Sequence, residues 1–369
     1  MSTTSSPTST STESRRDRFA WVDFSKGVCI IAVVALWVTH EFEYRHIGFL
    51  AGQATWLDRF VWFAAPFRMP DFFLISGLFL SRVIDRPWKS YLDTKVVHYL
   101  YFFLLWTCII VPAMWLIGRD TPLDAADALM KFGGRLFGTP FAMLWFVMFL
   151  SIYFIVTRLT RRVPVWIMAP VAALLMLFPA HTGQYHIDRF GVFFVYFYAG
   201  AMFARHFFAL ADWAASHVRL SIAGLLLWAV VNKAVVMAGW TGSGTPGLLV
   251  AGFTGISAVI VLSAITSSQR WAGWITYLGR HSISVYLGFF VPMVLIVEAM
   301  LASRWGHNLN IVGAAALVGS IATAVAIYEV AKRIGLGFLY ERPTWARLAT
   351  KRLAAPLRQR VEAGTLREA

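Results

Sequence analysis

Apolar residues run along this chain in long blocks with few polar interruptions, at roughly 24–40, 60–81, 96–117, 141–157, 163–180, 190–208, 218–239, 246–266, 274–301 and 310–331. About 20 apolar residues in a helix suffice to cross the hydrocarbon of a bilayer. In lipid a lone segment can satisfy its backbone only as a helix. The pattern therefore predicts an all-α polytopic membrane bundle of about ten transmembrane helices. Short separators rich in turn formers lie between the blocks, such as "WTGSGTPG" (240–247) and "HTGQYHIDR" (181–189). The loops at 82–95 and 118–140 are too short to hold a soluble domain. Neither an internal repeat nor a pair of broken helices is apparent in the pattern.

Composition supports the lipid reading. Of 369 residues, 58% are hydrophobic and 14% charged, with a mean hydropathy of +0.63. A soluble protein carries about a quarter charged residues. Charge then orients the bundle. With ten spans and the amino terminus inside, 24 Lys and Arg fall on the inner side, seven on the outer, and Arg68 and Lys233 within spans. This is the positive-inside bias, and it puts both termini in the cytoplasm. Topology accounts for the net charge of +14, so no nucleic-acid partner is implied; the expected partner is the lipid bilayer. Residues 1–18 read as a disordered Ser/Thr-rich cytoplasmic tail, 19–335 as the membrane domain, and 336–369 as a basic cytoplasmic tail. "RRDR" (15–18) precedes an apolar run that lacks a small-residue cleavage site, which predicts an uncleaved first helix. Cys29 and Cys108 both fall in spans, indicating neither a disulfide framework nor a thiolate metal site.

Polar groups inside the spans carry the candidate chemistry, because ionisable residues are costly there. His40, followed by Glu41 and Glu43, sits at the outer end of the first span. Arg68 and Asp71 lie in the outer half of the second, with Ser76 near its middle. Trp145 enters the fourth span from outside, and Glu298 lies toward the outer end of the ninth. Each also has a structural reading. Arg68 and Asp71, at i and i+3, can neutralise each other, while His40, Lys233 and Glu298 suit a headgroup interface. On the inner face, "SRVIDRPWKSYLDTK" (81–95) supplies Arg82, Arg86, Lys89 and Lys95, and Arg280 begins the ninth span. Singly these are positive-inside charges; together they suit a polyanionic nucleotide.

Several of these stretches resemble the acyltransferase type 3 membrane family. "VDFSKGVCIIAVVALWVTH" (22–40) is similar to its first helix, with an acidic residue, a basic residue and Gly, an aliphatic run and a His. "FRMPDFFLISGLFLSR" (67–82) is similar to its second-helix signature, "LWFVMFLSIY" (144–153) to its Leu-Trp-Phe helix, and "YLGRHSISVYL" (277–287) to its late Gly-Arg motif. The resemblance covers about residues 18–340, in order. Three departures mark a divergent subgroup. Lys26 and His40 are separated by thirteen residues where the family commonly has ten, Phe289 stands where a His often lies, and the basic motif of the second loop is loose. A 14-step offset turns a helix by about −40° and advances it roughly 21 Å, so both residues still share one face.

The resemblance implies an integral O-acyltransferase of the bacterial inner membrane. It would move an acyl group, acetyl above all, from cytoplasmic acyl-CoA to a hydroxyl of a glycan or glycolipid. It implies His40 as base and Lys26 as a donor residue. No permanently bound cofactor and no metal are expected; acyl-CoA is a co-substrate. Acyl transfer needs a base and a group to steady the oxyanion, and a carboxylate can orient an imidazole. Glu41, Glu43, Asp71 and Glu298 all qualify for that last task. Arg68 suits either the oxyanion or Asp71. Lys26, Arg82, Arg86, Lys89, Lys95 and Arg280 are candidates for the donor phosphates, and Ser76, Trp145, Tyr286 and Glu298 for pocket walls. Two other readings stay open: a proton-coupled transporter built on buried His, Asp and Glu, and a non-catalytic assembly subunit of an envelope complex.

Overall fold

The computed structural model describes residues 10–242 and 244–348, with side chains from residue 19. Of the expected terminal tails, residues 1–9 and 349–369 lie outside the described residues. Helices are joined by turns throughout, and the described residues contain no strand. In chain order the α-helices are α1 (Thr10–Tyr44), α2 (Trp56–Ala64), α3 (Arg68–Gly77), α4 (Trp88–Leu92), α5 (His98–Leu116), α6 (Ala125–Phe137), α7 (Trp145–Leu159) and α8 (Val165–Leu177). Then come α9 (Tyr185–Met202), α10 (Ala204–Ser216), α11 (Val218–Met237), α12 (Pro246–Thr266), α13 (Gly273–Arg280), α14 (Ser282–Gly288), α15 (Phe290–Leu301) and α16 (Leu309–Arg333). One π-helical turn, Asp93–Val97, joins α4 to α5.

Six stretches are long and apolar enough to cross a membrane, or up to eight if each of two bent helix pairs counts once. The uninterrupted second, sixth and ninth blocks of the hydropathy pattern are in fact broken helices. The second breaks between α2 and α3, where Pro66 offers no backbone N–H. The sixth turns by 75° between α9 and α10, and the ninth by 53° between α14 and α15. The expectation of no paired broken helices is therefore corrected. Hydropathy averages over a break when both arms are apolar. At the lipid face, α11 exposes Leu226, Leu227, Val230 and Val231.

Helices in lipid gain little from hydrophobicity against one another, so they associate through close packing. Two crossings depend on glycine for this. A Cβ on Gly27 would overlap the carbonyl oxygen of Ile275, and one on Gly279 that of Asp23, so α1 and α13 meet backbone to backbone. Gly77 and Gly200 do the same for α3 and α9, against Phe197 and Leu74. The first crossing carries the residues before and after its glycines, Lys26 and Arg280, to one place.

Candidate functional site

Two cavities lie along α1. One, of about 320 Å³, is lined by Lys26, Ser76, Lys95, His98, Arg280 and Tyr286 among others. The second, of about 280 Å³, is lined by Trp37, His40, Glu41, Arg119, Lys131 and Arg135 with Phe141 and Phe290. Fourteen steps of unbroken helix lead from Lys26 to His40, which is roughly 21 Å along the axis. Lys26 lies at the middle of α1 and His40 near its C-terminal end, so the cavities sit at different heights along one helix, and no residue lines both.

The Lys26 cavity is cationic. Asp23 is the carboxylate at its edge, paired with Lys26 Nζ at 3.7 Å and with Arg280 Nε at 3.4 Å. One carboxylate thus stands against Lys26, Arg280 and Lys95. The Gly27–Gly279 crossing brings Asp23, Lys26 and Arg280 together. Lys95 arrives from the π turn, with its Nζ 4.8 Å from the centre of the Phe154 ring. Ser76 faces the cavity while its hydroxyl donates to the Phe72 carbonyl at 2.7 Å, one helical turn back.

The imidazole of His40 is exposed in its cavity and makes no hydrogen bond among the described residues. It meets the Trp37 ring edge-on, with centroids 5.4 Å apart. Its neighbour Glu41 points elsewhere. Buried at 3% exposure, it accepts from both terminal nitrogens of Arg119, one at 2.6 Å, and from Arg45 Nε at 2.6 Å. Arg45 continues to Glu298, Nη2 to Oε2 at 2.5 Å. Glu41 and Glu298 therefore belong to an arginine-linked chain, and neither orients His40. Glu43 is different: Oε1 accepts from the Leu50 N–H at 3.1 Å, while Oε2 is buried without a partner among the described residues.

Arg68 and Asp71 are not paired with each other, contrary to the i, i+3 expectation. Arg68 Nη1 donates to the Val61 carbonyl at 2.7 Å. It thereby satisfies an acceptor left at the end of α2 by the helix break. Asp71 is fully buried and accepts from the thiol of Cys29; its other oxygen has no partner among the described residues. These contacts explain how the membrane tolerates both residues: each is spent on a neighbouring helix.

Between the cavities stands an aromatic wall. Tyr286 lines the Lys26 cavity and donates its hydroxyl hydrogen to the carbonyl of Met143, which follows Ala142 of the His40 cavity. Ring contacts then run from Phe146 to Tyr286 at 5.6 Å, Tyr286 to Phe289 at 6.5 Å, Phe289 to Phe290 at 6.1 Å and Phe290 to Trp37 at 5.6 Å.

Other expected site residues lie apart. Trp145 lines neither cavity; it stacks on Phe193 at 5.5 Å beneath the Arg189 guanidinium at 5.7 Å. Arg82 lies over Phe19 and Phe79, at 5.5 and 5.3 Å. Arg86 offers its carbonyl to the buried Arg158 at 2.5 Å, and Lys89 is exposed. None of the three lines the Lys26 cavity. Sequence reasoning passed over Arg119, His98 and Asp23 as site residues. Asp23 alone had a readable signal, three residues before Lys26 on the same helix face.

Comparison with known proteins places the chain in a family. Residues 19–329 match the family model described as "Acyltransferase domain". Over 173 residues the chain is 26% identical to the inner membrane protein YcfT of Escherichia coli (strain K12), covering 42% of this chain and 47% of that protein. The match thus spans about half the length of that relative. No solved structure matches the chain. With a family match over most of its length, the chain belongs to the acyltransferase-domain family, as an integral inner-membrane protein.

Proposed function

We propose that this protein moves an acyl group from cytoplasmic acyl-CoA, held in the Lys26 cavity, to a hydroxyl of a glycan or glycolipid acceptor held in the His40 cavity. The observation that carries the reading is that Lys26 and His40 project from one helix into two different cavities, the first rich in cations and the second holding an unengaged imidazole. Cations suit the phosphates of coenzyme A, and a neutral imidazole suits a hydroxyl proton. The reading takes ten crossings with both ends in the cytoplasm, 19–335 as the membrane domain, and acetyl-CoA as the first donor to try.

In the reaction His40 takes the acceptor's hydroxyl proton as the oxygen attacks the thioester carbonyl. The carbon–sulfur bond then breaks, and the coenzyme A thiolate receives that proton. Glu43, three residues on with one unpartnered oxygen, is the carboxylate best placed along the chain to steady the imidazolium. Glu41 acts indirectly, by holding Arg119 in the acceptor cavity. For the acyl group to cross, the contact between Tyr286 and Met143 has to part.

Purified protein with radiolabelled acetyl-CoA tests the proposal. His40→Ala is expected to bind donor normally and to lose transfer; undiminished transfer refutes the assigned base. The bent helix pairs favour one alternative, a proton-coupled transporter, since transporter sites use broken helices. Proton-driven uptake without donor binding or hydrolysis would select it.

A further inference from the structure

The segment after α16 lies against α5 as a strap. Trp106 Nε1 donates to the Leu339 carbonyl at 3.0 Å, and the Tyr101 hydroxyl to the Phe338 carbonyl at 2.9 Å. Tyr340 packs on Trp106, with centroids 5.5 Å apart. The strap then closes on one carboxylate. Asp93 pairs with Arg342 Nη2 at 2.8 Å, both side chains 7% exposed, and accepts from the Leu348 N–H at 2.6 Å. A basic tail held only by topology has no reason to bury an arginine.

Asp93 is the first residue of the π turn Asp93–Val97. Such turns are rare, cost regular hydrogen bonds and occur often at functional sites. This one is held on two sides. On the α7 side, Ser151 donates to the Val96 carbonyl at 3.4 Å, and Tyr91 of α4, two residues before the turn, donates to the Phe154 carbonyl of α7 at 2.7 Å. From the strap comes Arg342. Two residues after Asp93, and so toward the opposite side of the turn, Lys95 lines the cationic cavity, and His98 follows it there.

We propose that the strap is a positioning element of the donor site: Asp93 and Arg342 fix the π turn, and the turn holds Lys95 in the cavity. No strap residue need touch the donor. The inference rests on the reading of the Lys26 cavity as the acyl-CoA site.

The test uses full-length protein carrying Arg342→Ala, Asp93→Asn or Arg342→Lys. Breaking a buried pair from one side leaves an uncompensated charge. For the first two variants KM for acetyl-CoA is expected to rise about tenfold while kcat stays within about twofold. The lysine variant should recover most of the loss. An unchanged KM, or a change confined to kcat, overturns the proposal. A second readout does not depend on enzyme activity. With Lys95→Cys in a Cys108→Ala background, maleimide labelling is expected to change rate at least about fivefold when Arg342 is lost, since labelling follows thiol exposure; an unchanged rate overturns the positioning role. Failure of the wild type to bind coenzyme A would instead remove the donor assignment, while the labelling rates still judge the strap.

Discussion

Arg119 holds Glu41 with both of its terminal nitrogens, from a loop 78 residues further along the chain. The carboxylate is buried and also takes Arg45 Nε, so three ionised groups are locked at the end of α1 where the imidazole stands. Removing Arg119 leaves Glu41 buried with Arg45 alone. Arg119→Ala is expected to cost about 3 kcal/mol, read as a lowered melting temperature of the detergent-purified protein. Glu41→Gln should cost less, because its amide oxygen still accepts.

The crossing of α1 and α13 gives a second expectation. Gly279→Ala drives a methyl into the Asp23 carbonyl. Overpacking of this kind costs about 1–3 kcal/mol, and here the displaced atom is backbone. Coenzyme A binding should fall with stability, since Lys26 and Arg280 move apart. Gly133→Ala in α6 is the control. Nothing lies within 4 Å of its added Cβ, and removing a helical glycine gains about 0.5–1 kcal/mol.

Cys29→Ala should destabilise by about 1–3 kcal/mol, because it deprives the buried Asp71 carboxyl of its partner. Cys29→Ser keeps a donor and should retain most of the stability. Thermal unfolding of the pair of variants separates a hydrogen-bonding cysteine from a space filler. Equal melting temperatures would show that the contact contributes nothing.

The strap carries its own pH signature. Burial pushes the Tyr340 phenol up to about 12, above its ordinary 10.0. A raised value means that the folded form holds the proton more tightly than the unfolded one. This contribution is fully present below pH 10 and is lost as pH rises through about 12. Tyrosinate absorbance at alkaline pH, compared with Tyr340→Phe, checks it: the variant should lack the late-titrating component.

Several residues that line the two cavities were already candidates in the sequence. Lys26 and Arg280 were both donor candidates in the sequence, but the crossing made by the glycines beside them was visible only in the fold. His40 was singled out by its place at the outer end of the first span together with the family's first-helix pattern. What failed were the partners. Hydropathy places a residue along the membrane normal but is silent on its azimuth, so Arg68 seemed destined for Asp71. In the fold α2 ends at Ala64, and the nearest freed acceptor for Arg68 is the Val61 carbonyl. Asp71 found a thiol on another helix, a donor that reads in sequence as an apolar residue. Trp145 was misread as a pocket wall because an aromatic residue facing other rings and one facing a void look alike in one dimension. Arg82, Arg86 and Lys89 were drawn into the donor group by proximity in sequence, yet only Lys95, carried on the π turn, lines the cavity.

The Asp23–Arg280 contact joins residues 257 positions apart, and the Asp93–Arg342 contact joins residues 249 apart. During synthesis, then, the first helix enters the bilayer long before its counterparts leave the ribosome. A nascent chain halted after the eighth apolar run would lack Arg280, and with it the contact that closes the cationic cavity around Asp23. Chemistry at this protein begins only when translation is nearly over.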